Sequence, residues 1–119
     1  MLIRSQDKRM IVNFDNICTV SAFPEKDSED IYVEDGTGSL MAGKYSTKAK
    51  AMKVLDMIQE AYEEYKITCT FLTGFTGHRA IVESNDIQVN GFKELVKSFK
   101  KNMAFQMPED SEVEVWATK

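Results

Sequence analysis

Histidine is nearly missing from this chain: His78 is the only one among 119 residues. Any histidine-dependent metal site would have to be built around that single ring, and no cysteine or carboxylate stands at ligand spacing from it. Cysteine is scarce too. Cys18 and Cys69 form no C-x-x-C pair and have no metal-type neighbour, so they read as reduced thiols of a cytoplasmic protein. No apolar run approaches the ~18 residues of a membrane span. The opening Met1-Leu2-Ile3-Arg4-Ser5 has no apolar core of signal-peptide length, so neither membrane association nor secretion is expected. Positive charge is also short: 15 basic residues against 19 acidic give a net charge of −4, which argues against direct nucleic-acid binding by bulk electrostatics. Repeats and low-complexity tracts are absent, and no cofactor motif survives inspection.

What is present is the composition of one soluble domain spanning residues 1–119, with 43% hydrophobic and 29% charged residues, both ordinary values. Ser46 to Lys66 carries the strongest pattern. Ala51, Leu55, Ile58, Tyr62 and Tyr65, with Met52 and Val54 alongside, make one apolar face of an amphipathic helix capped by Ser46 or Thr47. The segments before it are short and strand-like: Leu2-Ile3, Met10 to Phe14, and Ile17 to Phe23 returning antiparallel over an Asp15-Asn16 turn and stopped by Pro24. Ile31 to Val33 and Ser39 to Tyr45 form a hairpin across Asp35-Gly36-Thr37-Gly38. After Lys66 the spacing predicts a second hairpin, Thr68 to Thr73 with Arg79 to Glu83. A short helix follows, with Phe92, Leu95, Val96 and Phe99 on one side. Ala104 to Met107 and Glu112 to Trp116 read as terminal strands. The expected fold is α+β: a mainly antiparallel sheet of short strands on one long amphipathic helix, with a hairpin and a second short helix.

Gly38 to Lys44 fits G-x-x-x-x-G-K, but Tyr45 stands where a phosphate-binding loop needs a hydroxyl for Mg²⁺, and Leu40-Met41-Ala42 reads as strand. A hairpin strand is the better assignment. The long helix carries its charges backwards, with Lys48, Lys50 and Lys53 near its start and Glu60, Glu63 and Glu64 near its expected end, against the helix dipole. Surface indifference explains that. So does an anion site, in which amides after Ser46, with Thr47, Lys44 and Lys48, hold a phosphate, nucleotide or carboxylate. A second ligand candidate is the loop of Gly77, His78 and Arg79, which is otherwise a glycine-rich turn. Glu25, Asp27, Glu29 and Asp30 read either as a solvated loop or, with Lys50 and Lys53, as partner-binding residues. Beside the acidic Glu109 to Glu114 they would make a negative face toward a basic partner. Phe105, Met107 and Trp116 complete the core or line a homo-oligomer seam.

Four segments, Met1 to Lys8, Gly43 to Lys48, Val54 to Ile58 and Phe105 to Asp110, together resemble a group of short, uncharacterised accessory proteins of phages and prophages of Gram-positive bacteria. The likeness covers roughly residues 1–66 and 104–115. This chain departs from it by placing residues 67–102 between the helix and the Phe-Gln-Met-Pro segment. The resemblance implies a small protein acting in the host cytoplasm, and it carries no catalytic residues. The expected function is non-enzymatic: binding, as a homo-oligomer, to a host protein or antiviral defence complex. Sequestration of a small anionic ligand or nucleotide is the alternative, and an enzyme using His78 and Arg79 the second alternative.

Overall fold

The computed structural model describes residues 1–76, 94, 97, 100–101 and 103–115. Among these residues, two three-stranded sheets and one long helix make up the α+β fold. The first sheet begins with β1 (Leu2–Arg4) and β2 (Ile11–Asn13), which pair antiparallel with Ile3 opposite Val12. Their connection folds on itself through side chains. Ser5 Oγ donates to Asp7 Oδ1 (2.6 Å), the Arg9 amide donates to the same oxygen, and the Met10 amide donates to Ser5 Oγ. Lys8 takes the left-handed φ of 66° that closes the turn. The Ser5 hydroxyl, then the Arg9 amide, hold the Asp7 carboxyl below its ordinary range.

Because β2 is committed to β1, the expected hairpin between Met10–Phe14 and Ile17–Phe23 does not form. Phe14–Asn16 is a 3₁₀ turn instead, entered where Asn13 Oδ1 accepts from the Asp15 amide. It carries the chain across to the second sheet. That sheet runs β3 (Thr19–Glu25), β4 (Ser28–Glu34), β5 (Ser39–Tyr45), all antiparallel. Pro24 does not stop β3, since β3 is an edge strand, where a residue lacking an N–H is tolerated. The acidic stretch expected as a loop is therefore a tight hairpin, with Glu25 opposite Ser28 and Asp30 buried within β4. The β4–β5 turn forms as its chemistry demands. Asp35 Oδ1 accepts from the Thr37 hydroxyl and from the amides of Thr37 and Gly38, and Gly36 supplies a φ of +92°. A register shift beside Ile31 leaves Ala42 as the extra residue of β5.

The helix, α1 (Lys48–Thr76), runs ten residues past the Lys66 at which the spacing predicts its end, so Thr68 to Thr73 is helix and not strand. Thr47 is its N-cap, accepting from the Lys50 amide at 3.1 Å. Ala51, Val54 and Ile58 are buried, while Leu55, Ala61, Tyr62 and Tyr65 pack at the margin. Met52, expected on this face, is exposed. The buried stripe meets Ile31 and Val33 of β4, Ala42 and Tyr45 of β5, and Met1, Ile3, Met107 and Val113 of the terminal segments. Phe14 stacks on Tyr62 with ring centroids 4.8 Å apart, which anchors the inter-sheet turn to the helix.

Of the second predicted helix, Glu94, Lys97, Lys100 and Lys101 are helical. The remainder, and the predicted strand Arg79 to Glu83, lie outside the described residues. The final strand, β6 (Ala104–Gln106), joins β1 in parallel, with Phe105 opposite Ile3. Glu112 to Trp116 is not a strand: Asp110–Glu112 is a 3₁₀ turn, Val113 drops into the core, and Trp116 lies outside the described residues. No helix among the described residues is long and apolar enough to cross a membrane.

Candidate functional site

Three chain segments far apart in sequence meet at the end of β5. Gln6 imitates a neighbouring strand there. Its side-chain amide donates to Lys44 O (3.0 Å) and Pro108 O (3.2 Å), its Oε1 accepts from the Lys44 amide (2.9 Å), and its own amide donates to Ala42 O (2.8 Å). Tyr45 is fully buried and donates its hydroxyl to Pro108 O at 2.8 Å. Burial, then the carboxylates of Glu109, Asp110 and Glu112, push this phenol well above the usual tyrosine range.

One residue on, the Ser46 amide donates to Asp110 Oδ1 (2.7 Å), and Lys50 Nζ donates to Asp110 O (2.9 Å) and faces its Oδ2 (3.4 Å). The Ser46 amide, assisted by the Ser46 side chain and Lys50, holds the Asp110 carboxyl below its ordinary range. The helix start does attract an anion. The anion is the chain's own.

This corner accounts for Lys50 near the start of α1, while Lys48 and Lys53 stay exposed. No acidic residue occupies its first turn, and Asp110 supplies one from the far end of the sequence. Glu60, Glu63 and Glu64 lie three turns or more before Thr76, beyond the reach of a dipole effect confined to the last turn.

The predicted site residues divide accordingly. Lys44, Lys48 and Lys53 are exposed, whereas Lys50 is engaged by Asp110 and Thr47 by its cap. Gly77, His78 and Arg79 lie outside the described residues. Met107 is a core residue, and Phe105 packs against the core from β6. Among the described residues, no three side chains of His, Cys, Asp or Glu converge as a metal site requires.

The outer face of the second sheet is different in kind. Strand alternation sends Ile31 and Val33 inward to α1 and Tyr32 outward. On that face Tyr32 lies opposite Ser21 of β3 and Met41 of β5, and Asp30 lies opposite Phe23 and Lys44. Phe23 meets Tyr32 edge to face, centroids 6.0 Å apart. Phe23 stays 49% and Met41 45% exposed. Ser21 Oγ is buried on this face with no hydrogen-bond partner among the described residues.

Beside the aromatic pair is a depression of about 250 Å³ lined by Glu25, Lys26, Asp27, Ser28, Asp30 and Lys44. Asp30 is only 3% exposed and accepts from Ser28 Oγ at 2.8 Å. Among the described residues, none of Glu25, Asp27 and Asp30 has an ion-pair partner within 4.0 Å. Burial, then Glu25 and Asp30, push the Tyr32 phenol above its usual range. The acidic residues stand out in the sequence as a charge run, whereas Phe23, Tyr32 and Met41 lie far apart and carry no local signal. Only the strand register shows that these three share a face. Comparison with family models, curated proteins and solved structures returns no match.

Proposed function

We propose that the protein is a non-enzymatic binding protein that docks another macromolecule on the outer face of its β3–β4–β5 sheet. The observation that carries this is the cluster of Phe23, Tyr32 and Met41, large apolar groups side by side on a strand face that nothing among the described residues covers. A folded chain gains by burying such groups, and aromatic residues and methionine are enriched where partners meet. The resemblance to phage accessory proteins makes the partner a host component, such as part of a defence complex, whose action the protein would modulate. The alternative of a small anionic ligand at the start of α1 is weakened by Asp110, which already takes the Ser46 amide and Lys50.

Copurification from host lysate, comparing the native chain with two variants, tests this reading. A Phe23→Ser/Met41→Ser variant should lose the partner, whereas Lys48→Ala/Lys53→Ala should keep it. Retention by the first variant with loss by the second would shift the site to the helix start.

A further inference from the structure

The same face carries information about the chemistry of what it binds. Its apolar centre is flanked by Glu25, Asp27 and Asp30 at one end and by Glu34 at the other, against the ammonium groups of Lys26 and Lys44. The depression sets three carboxylates against two ammonium groups, and none of the carboxylates has an ion-pair partner among the described residues, so a cation arriving there meets a net negative lining.

We infer that the occupant is a basic segment of another protein, with an arginine or lysine head in the Glu25–Asp27–Asp30 depression and apolar side chains over Phe23, Tyr32 and Met41. This rests on the reading of that face as a docking surface. An arginine suits the place because its guanidinium can pair with a carboxylate while its plane lies on an aromatic ring.

Other occupants fit less well. Adding a strand is disfavoured at both edges of the sheet: Pro24 removes one donor from β3, and Gln6 already satisfies Ala42 and Lys44 of β5. Nucleic acid and anionic lipid headgroups would meet carboxylates. A second copy docking by two-fold symmetry would set the Glu25–Asp30 cluster of one chain in the same interface as its counterpart, where like charges repel.

The test uses the full chain and fluorescent probe peptides, a short one alternating arginine with leucine and its glutamine-for-arginine counterpart, read by anisotropy at about 0.05 and 0.3 M salt. The arginine peptide should bind, weaken with salt, and exceed the glutamine peptide by roughly tenfold or more. Glu25→Gln/Asp27→Asn, two exposed positions at the β3–β4 hairpin, should weaken the arginine peptide about tenfold and leave the glutamine peptide unchanged. Phe23→Ser should weaken both.

Equal binding of the two peptides, or indifference of the arginine peptide to the charge variant, overturns the basic-partner inference while the Phe23 effect still supports the face. Failure of the arginine peptide to bind overturns the inference as well. Binding unaffected by Phe23→Ser overturns the face itself. A doubling of mass in sedimentation that Phe23→Ser abolishes would assign the face to a second copy and overturn the inference.

Discussion

Gly43 is the residue at which the packing of the β5 corner leaves least room. A Cβ built there would lie 3.0 Å from Tyr45 Cε2, 3.1 Å from Tyr45 Oη and 3.1 Å from Met107 Cε. Tyr45 cannot retreat, because its hydroxyl is fixed to Pro108 O. Gly43→Ala should therefore destabilise the fold by about 1–3 kcal/mol, the usual result of forcing carbon into a filled core, and a urea midpoint at neutral pH measures it. Ser21 predicts the opposite sign. Its hydroxyl is buried with no partner among the described residues, and a group in that position costs about 1–3 kcal/mol. Ser21→Ala should raise the midpoint or leave it unchanged; a fall would mean that the hydroxyl has a partner. Asp110 gives the pH dependence. Hydrogen bonds made only in the folded chain depress its pKa, so its contribution is present above the ordinary carboxylate range, near pH 4, and is lost as pH falls through the folded value. Asp110→Asn keeps an acceptor for the Ser46 amide but removes the charge, so its urea midpoint should fall less between about pH 6 and pH 2 than that of the native chain.

Elements were legible in the sequence to the extent that local pattern decides them. The limits of β5, the Asp35–Gly38 turn and the buried stripe of α1 follow from alternation, turn chemistry and helical spacing, and the structure has all three. Two elements were decided otherwise. The β-branched run of Ile67, Thr68, Thr70 and Thr73 reads as strand. Once α1 is established over five turns, however, extending it adds one hydrogen bond per residue without a new nucleus, and weak propensities give way. The partner of β2 is settled by Ser5 and Asp7, whose side chains build the first turn and so set β2 against β1. The helix also changes in burial along its length. Ile58 is buried, whereas Ile67 is 70% exposed. Ile58→Ala should cost about 2–5 kcal/mol, and Ile67→Lys within about 0.5 kcal/mol, both read from urea unfolding. A large loss at Ile67 would show that the distal part of α1 is packed in solution.

At the scale of the whole molecule, three distant segments build one structural corner, and Lys44 joins that corner to the surface that presents apolar groups. Met1 to Lys8, Gly43 to Lys48 and Phe105 to Asp110 are tied together through Gln6, Tyr45 and Asp110. They hold the two sheets and the start of α1 in one body, a structural duty that needs no ligand. The candidate site was half legible. Its carboxylates stand out as a charge run, but Phe23, Tyr32 and Met41 are separated by nine residues each and become neighbours only through the register of β3, β4 and β5. Docking on the outer face of that sheet is tested most directly by amide NMR of the full chain titrated with the arginine–leucine peptide. Shifts should concentrate at Ser21, Phe23, Glu25, Asp27, Tyr32, Met41 and Lys44. Shifts concentrated at Ser46 to Lys53, leaving the strand positions unmoved, would contradict it.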